Sequence, residues 1–267
     1  MKTKEINNNT VIDKIDVHVH IGKYAGSFVN SNYEPKILDY FKKNGYKKIV
    51  FTHNSFFFNL EEGLKNTLEF ILANSNFAYG YLVYNPHFIE RSLNIIRDNF
   101  GKNNIVGIKM HPEDHRCFID DEKYRPLWKI ASEKKIPVLS HTWNPNVASS
   151  FQKFADAVLF EKVIMEFPGL KIILGYAGAK DYYYIEVVKM LKKLKKYHLY
   201  IDTAGDILYR GMLEKFVESA GAERILFGSD VPWMDPAFTI SYIESSGFSL
   251  PVKTRIFSGN AADLFAI

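Results

Sequence analysis

Short runs of β-branched and aromatic residues alternate along this chain with longer stretches whose apolar positions recur every three to four residues. The runs are KIDVHVHI (14–21), KKIVFTH (47–53), FAYGYLVY (77–84), IVGIKMH (105–111), IPVLSH (136–141), LKIILGY (170–176), HLYID (198–202) and RILFGSD (224–230). Each predicts a strand. Between them ILDYFKKNG, LKNTLEFILAN, IERSLNIIRDNF, YRPLWKIASEKK, FEKVIMEF, YIEVVKMLKKLKK and LYRGMLEKFVESAG carry helical periodicity. Strand-to-strand spacing is close to the roughly 30 residues of a βαβ unit. The alternation predicts an α/β fold with a parallel sheet, and eight repeats favour a closed (β/α)₈ TIM barrel over an open doubly wound sheet. No Gly-, Ser- or Pro-rich linker divides the chain. Residues 12–267 therefore read as one barrel domain, preceded by an Asn-rich N-terminal tail over residues 1–11, and Asn30 to Asn32 read as part of the first βα loop.

Composition narrows the choice of partners more than the choice of fold. With 267 residues, 47% hydrophobic and 24% charged, the chain can bury a core without disulfides. Its one cysteine, Cys117, excludes an internal bridge and fits a reducing compartment. The net charge of +4 is concentrated in KMLKKLKK (189–196), where the lysines share one side of a helix. We read this as the solvated face of an outer helix, because no phosphate loop, zinc-finger spacing or stacking aromatics accompany it. No apolar run reaches membrane-span length, and the first residues lack a signal-peptide core. The expectation is a cytoplasmic protein with a small-molecule substrate and neither nucleic-acid nor membrane partners. Assembly into a homo-oligomer stays open.

In such barrels the chemistry sits at the C-terminal ends of the strands. The first strand ends Asp16-Val17-His18-Val19-His20, and strand alternation points Asp16, His18 and His20 together to the interior, with Val17 and Val19 toward the helices. Two inward imidazoles are costly to bury unless something binds them. Asp16 offers either a ligand or a partner for an imidazole N–H. His141 ends the fifth strand and Asp230 the eighth, so three imidazoles and one carboxylate converge on one rim, a donor set suited to zinc.

The ordered set HxH (18–20), GIKMHP (107–112), SHTW (140–143), FGSDVPW (227–233) and GNAADLF (259–265) resembles the amidohydrolase superfamily, and most closely its decarboxylase-like branch, amidohydrolase family 2. The resemblance spans roughly residues 12 to 265. It implies a (β/α)₈ barrel holding one divalent cation, zinc or manganese, on His18, His20, His141 and Asp230. One position departs from the pattern. Where the family reads GHxGG, this chain reads Gly175-Tyr176-Ala177-Gly178-Ala179, so Tyr176 stands in place of a histidine beside the metal-bound water. A phenol is a poor general base at neutral pH but a competent hydrogen-bond donor.

Further candidates surround this rim. Asp230, Tyr176 and His111 are candidate catalytic groups. Lys109, His53, His87, Trp143 and Trp233 are candidate substrate contacts, with an ion pair to Asp16 open for Lys109 and loop hydrogen bonds open for His53 and His87. Carbamylation of Lys109, known in binuclear relatives, is disfavoured by Tyr176. His115 and Arg116 lie near enough to approach a carboxylate. His198 starts a strand at the opposite face and is set aside. The resemblance implies first a hydrolase using cation-activated water on a small amide or ester-like bond. A non-oxidative decarboxylase of an organic acid uses the same ligands, and a metal-retaining barrel without turnover is the third reading. A nuclease of the superfamily lacks its expected ligand pattern.

Overall fold

The computed structural model describes residues 12–23, 33–178, 181–205 and 209–267. The tail over 1–11 and Asn30 to Asn32 lie outside the described residues. Eight strands form one sheet in sequence order: β1 (Lys14–Ile21), β2 (Tyr46–His53), β3 (Ala78–Val83), β4 (Ile105–Met110), β5 (Pro137–His141), β6 (Lys171–Gly175), β7 (His198–Asp202) and β8 (Ile225–Leu226). Every neighbouring pair is parallel. The helices Tyr33–Lys43, Leu60–Ala73, Ile89–Asn99, Arg125–Lys134, Phe160–Glu166, Tyr184–Lys193 and Met212–Ala220 fill the intervals the periodicity predicts. Among the described residues no helix is long and apolar enough to cross a membrane.

β8 is shorter than RILFGSD suggests, because beyond Leu226 the chain pairs with β1 instead of β7. The Val17 N–H donates to Phe227 O (2.9 Å), the Asp230 N–H to His18 O (2.8 Å) and the His20 N–H to Val231 O (2.8 Å). These bonds bring the two edges of the sheet together, closing the TIM barrel. The main core lies between sheet and helices, where Phe41, Phe51, Ile108, Trp128, Ile172, Phe216 and Phe227 are all buried. A smaller interior core joins Ile15, Val17, Val50, Tyr81, Leu139, Ile173 and Leu226 to Ala261, Leu264 and Phe265 of the closing helix Asn260–Phe265. Burial of each such large side chain contributes about 1.5–3 kcal/mol. This plug fills the lower barrel and leaves the strand C-termini as the open end.

One expectation from alternation fails in β1. The register shifts between Asp16 and Val19. Val17 therefore joins the interior core, and Val19 alone faces the helices. Asp16 does not turn toward the histidine rings. Its Oδ1 accepts the backbone N–H of His18 (3.1 Å) and of Ser229 (3.0 Å), tying the ends of β1 and β8 together. Burial pushes its carboxyl up to about 7.

Candidate metal centre

His18 and His20 recover a common direction after the β1 shift, and both rings are buried. Space for His18 comes from two glycines. A Cβ on Gly228 would lie 3.0 Å from the His18 Cβ, and one on Gly175 would lie 3.1 Å from its Cε1 and 2.8 Å from Ser140 O. Asp230 and Tyr176 lie just beyond β8 and β6 in left-handed backbone, at φ 60° and 59°. Such conformations cost about 1–3 kcal/mol each and turn these side chains into the barrel mouth.

Each imidazole has an oxygen behind it. His18 Nδ1 lies 2.7 Å from Asp202 Oδ2, and His20 Nδ1 lies 3.1 Å from Asn54 Oδ1. Asn54 is itself held, donating to Gly22 O (2.7 Å). These acceptors put the ring protons on Nδ1 and leave both Nε2 atoms unprotonated. They face Asp230 Oδ1 at 3.7 Å from His18 and 3.5 Å from His20. Donor atoms of His18, His20 and Asp230 all lie within 4.8 Å of one another. Asp230 Oδ1 is buried and has no hydrogen-bond partner among the described residues. Two unprotonated imidazole nitrogens around a carboxylate oxygen that lacks a hydrogen bond fit a divalent cation in donor type and spacing, with Lys109 giving up its bond to His18 Nε2 when the cation binds.

Electrostatics agree with that fit. Burial, reinforced by Lys109, holds His18 and His20 well below the usual histidine range, which favours the neutral rings that a cation requires. Burial raises the Asp230 carboxyl, and the Tyr176 hydroxyl, which hydrogen-bonds it, opposes that shift. Burial likewise drives the Tyr176 phenol far above its ordinary value, so it remains a donor. Tyr176 thus faces Asp230, its ring edge-on to His18 and to His141 at 4.9 Å each.

Lys109 is wholly buried beneath the rim, and its Nζ donates to His18 Nε2 at 2.9 Å. Burial lowers its pKa against the pull of Asp202 and Asp230. The alternative ion pair with Asp16 is not made, and Lys109, a candidate substrate contact, does not line the cavity above. That cavity, about 300 Å³, is floored by His20, Tyr176 and Asp230 and walled by Phe57, Trp143 and Trp233. His111 and His141 also line it, stacked with centroids 4.4 Å apart. His141 stands apart from the His18–His20–Asp230 group. Its Nε2 lies 3.1 Å from Glu113 Oε2 and 3.3 Å from the Gln152 side-chain oxygen. Burial works to raise the Glu113 carboxyl, but His141 and Lys109 outweigh it and the net shift is downward.

Four other candidates sit away from the cavity. The His53 ring packs under Gly22, with Nδ1 2.7 Å from Ser55 Oγ. His87 Nε2 donates to His115 O (2.7 Å), and His115 Nδ1 pairs with the Tyr124 hydroxyl (2.8 Å). Arg116 lies over the Phe151 ring. All are loop contacts. Two important side chains were not among the candidates. Asp202 ends β7 with the inward parity of Tyr200, and that parity was available as a signal. Glu113 follows the β4 motif in a loop, where parity gives no direction.

Comparison with known proteins follows this geometry. A family model described as amidohydrolase matches residues 15–267. The chain is 23% identical over 189 residues to gamma-resorcylate decarboxylase of Polaromonas sp.. That alignment spans 56% of this chain and 56% of that enzyme, so it covers about half of the curated relative's length. Among solved structures, 2,6-dihydroxybenzoate decarboxylase in complex with 2,6-dihydroxybenzoate superposes with a TM-score of 0.75 at 16% identity, covering 95% of this chain and 98% of that one. A 5-carboxyvanillate decarboxylase from Novosphingobium aromaticivorans, solved with manganese and 4-hydroxy-3-methoxy-5-nitrobenzoic acid, gives a TM-score of 0.77 at 12% identity, covering 96% of each chain.

Proposed function

The chain belongs to the amidohydrolase family, and on that premise we propose that it is a metal-dependent, non-oxidative decarboxylase of a small aromatic acid. The observation that carries this reading is the cation-fitting group of His18, His20 and Asp230 at the floor of a cavity walled by flat aromatic side chains. About 300 Å³ suits a single substituted ring. The decarboxylases among the similar proteins support the same class of substrate. Hydrolysis, the first expectation from the motifs, has no such support from them.

His18, His20 and Asp230 would hold the cation, with His141 as a fourth donor and manganese or zinc as the metal. Bound there, the cation supplies a Lewis-acid charge for a substrate oxygen. The residues do the rest. Trp143, Trp233 and Phe57 clamp the ring and exclude water. Among the described residues no Lys or Arg lines the cavity, so neutral donors, His111 with Asn54 and Gln152, would meet the substrate's outer oxygens. In the chemical step the bond to the carboxylate carbon breaks, and its electron pair stays on the ring carbon. Carbon dioxide leaves, and the ring carbon takes a proton carried on the Asp230 oxygen that would not hold the cation; water restores that proton after each turnover. The Tyr176 hydroxyl, bonded to that carboxyl, fixes the direction of delivery.

The test uses protein loaded with manganese or zinc and two panels, hydroxylated benzoates and small amides or esters. Release of carbon dioxide from the first panel, lost in H18A/H20A, is the expected result. Hydrolysis of the second without carbon dioxide release would return the protein to the hydrolase reading. Silence on both panels, with metal bound, would favour the binding protein.

A further inference from the structure

We infer that Glu113 and Gln152 are positioning residues that lock His141 as its Nε2–H tautomer, so that Nδ1 is the atom His141 offers to the cation. The inference rests on the metal-dependent reading and extends it to two side chains that ligate nothing.

A neutral imidazole carries one N–H. His141 Nε2 has two oxygens close by, Glu113 Oε2 at 3.1 Å and the Gln152 oxygen at 3.3 Å. Its Nδ1 is buried with no hydrogen-bond partner among the described residues. A proton on Nε2 is accepted by the Gln152 oxygen and lies against the Glu113 carboxylate. A proton on Nδ1 would leave a buried donor unpaired and turn the Nε2 lone pair against a carboxylate. The tautomer is therefore fixed from behind, as Asp202 fixes His18 and Asn54 fixes His20. The ring is reversed relative to those two, because here the oxygens stand at Nε2. Both positioning residues reach His141 from outside its own strand, Glu113 from the turn Pro112–His115 after β4 and Gln152 from the turn Gln152–Ala155.

A rival use of these side chains exists. Donor atoms of His111, Glu113 and His141 also lie within 4.8 Å of one another, which would suit a second cation. His111 Nδ1 is 3.7 Å from Glu113 Oε1 and 3.2 Å from Asp114 Oδ2. A cation there would take the His141 Nε2 lone pair and force the ring proton onto Nδ1, where no acceptor waits. The missing acceptor at His141 Nδ1 favours one cation, with Glu113 behind the ligand, although His111 Nδ1 and Glu113 Oε2 are also buried without a hydrogen-bond partner among the described residues.

Long-range ¹H–¹⁵N spectra of histidine-labelled, cation-free protein read the tautomer directly, and manganese titration reads the consequence. We expect His141 as Nε2–H in the wild type and in E113Q, whose amide oxygen still accepts. In E113L/Q152L we expect mixed tautomers and about 10- to 100-fold weaker manganese binding. Q152L alone, a milder change, should fall between. Wild-type protein that binds manganese with His141 as Nδ1–H would overturn the inference and leave the metal-dependent reading standing. So would unchanged tautomer and affinity in the double variant, or a second manganese equivalent lost in E113Q. Absence of manganese binding by wild type would instead sink the metal-dependent reading, along with any role for Glu113 behind it.

Discussion

Replacing Asp202 by Asn changes one atom and reverses a hydrogen bond on which the centre depends. Asp202 Oδ1 accepts the N–H of Tyr176 (2.9 Å) and of Ala204 (3.1 Å), while Oδ2 faces His18 Nδ1 at 2.7 Å. Asparagine keeps its oxygen on the two backbone donors, so its NH₂ confronts Nδ1. The ring proton is then opposed on both sides, because Lys109 Nζ already donates to Nε2 at 2.9 Å. Cation binding requires a bare Nε2 and hence a proton on Nδ1 against the amide NH₂. One buried, unsatisfied donor costs about 1–3 kcal/mol, or roughly 5- to 150-fold in affinity. The same range holds generally for partners behind ligating histidines. Manganese titration by calorimetry at pH 7.5 measures it, above the value of about 6 to which burial raises Asp202. A D202N protein that folds and binds manganese within about twofold of wild type would refute the reasoning.

Three further outcomes are expected. Asp230→Asn should lower turnover by on the order of 10² or more, since the amide cannot carry the proton; turnover near wild type removes Asp230 from that role. Tyr176→Phe should lower turnover by roughly 10-fold, the worth of one hydrogen bond to a charged group, and leave manganese affinity unchanged. A loss of manganese affinity would make Tyr176 a ligand instead. His115 is buried, and burial, with His87 second, depresses its pKa to about 3. A histidine depressed in the fold contributes stability above its unfolded pKa near 6.5, and that contribution is lost as pH falls toward 3. The stability gap between wild type and H115Q, from urea unfolding of chelator-treated protein, should narrow by about 2 kcal/mol from pH 7 to 5. A constant gap rejects a buried neutral His115.

Much of the barrel was legible because its signal is periodic. Eight apolar runs and seven amphipathic stretches place the strands to within a few residues, since burial on both faces leaves few polar positions inside them. Convergence of His18, His20 and Asp230 followed from strand ends alone. Two kinds of position escaped. The β1 register shift is set by pairing with β2 and with the chain after β8, so the Asp16 side chain went elsewhere than alternation dictates. Loop residues such as His87 and Glu113 carry no parity, whereas His53 shares the parity of Ile49 and Phe51, which pack toward the helices. Lys109 was placed correctly on its strand but at the wrong depth. Alternation gives the face of a residue, and only the packing of all eight strands shows how far below the rim it lies.

The seam between β1 and the chain beyond β8 has a consequence for how the ring is assembled. Asp16 and Ser229 meet there although 213 residues separate them, so this joint closes a very long loop. Its ladder is short, resting on a few backbone bonds beside a two-residue β8. The proposed donors straddle the joint, with His18 and His20 on one bank and Asp230 on the other. A cation held between them would act as a clasp, opposing the entropy of opening so large a loop. Separately made halves, cut in the surface between β4 and β5, should then reassociate more tightly with manganese than without it, because the metal sits on one of the two joints they must remake.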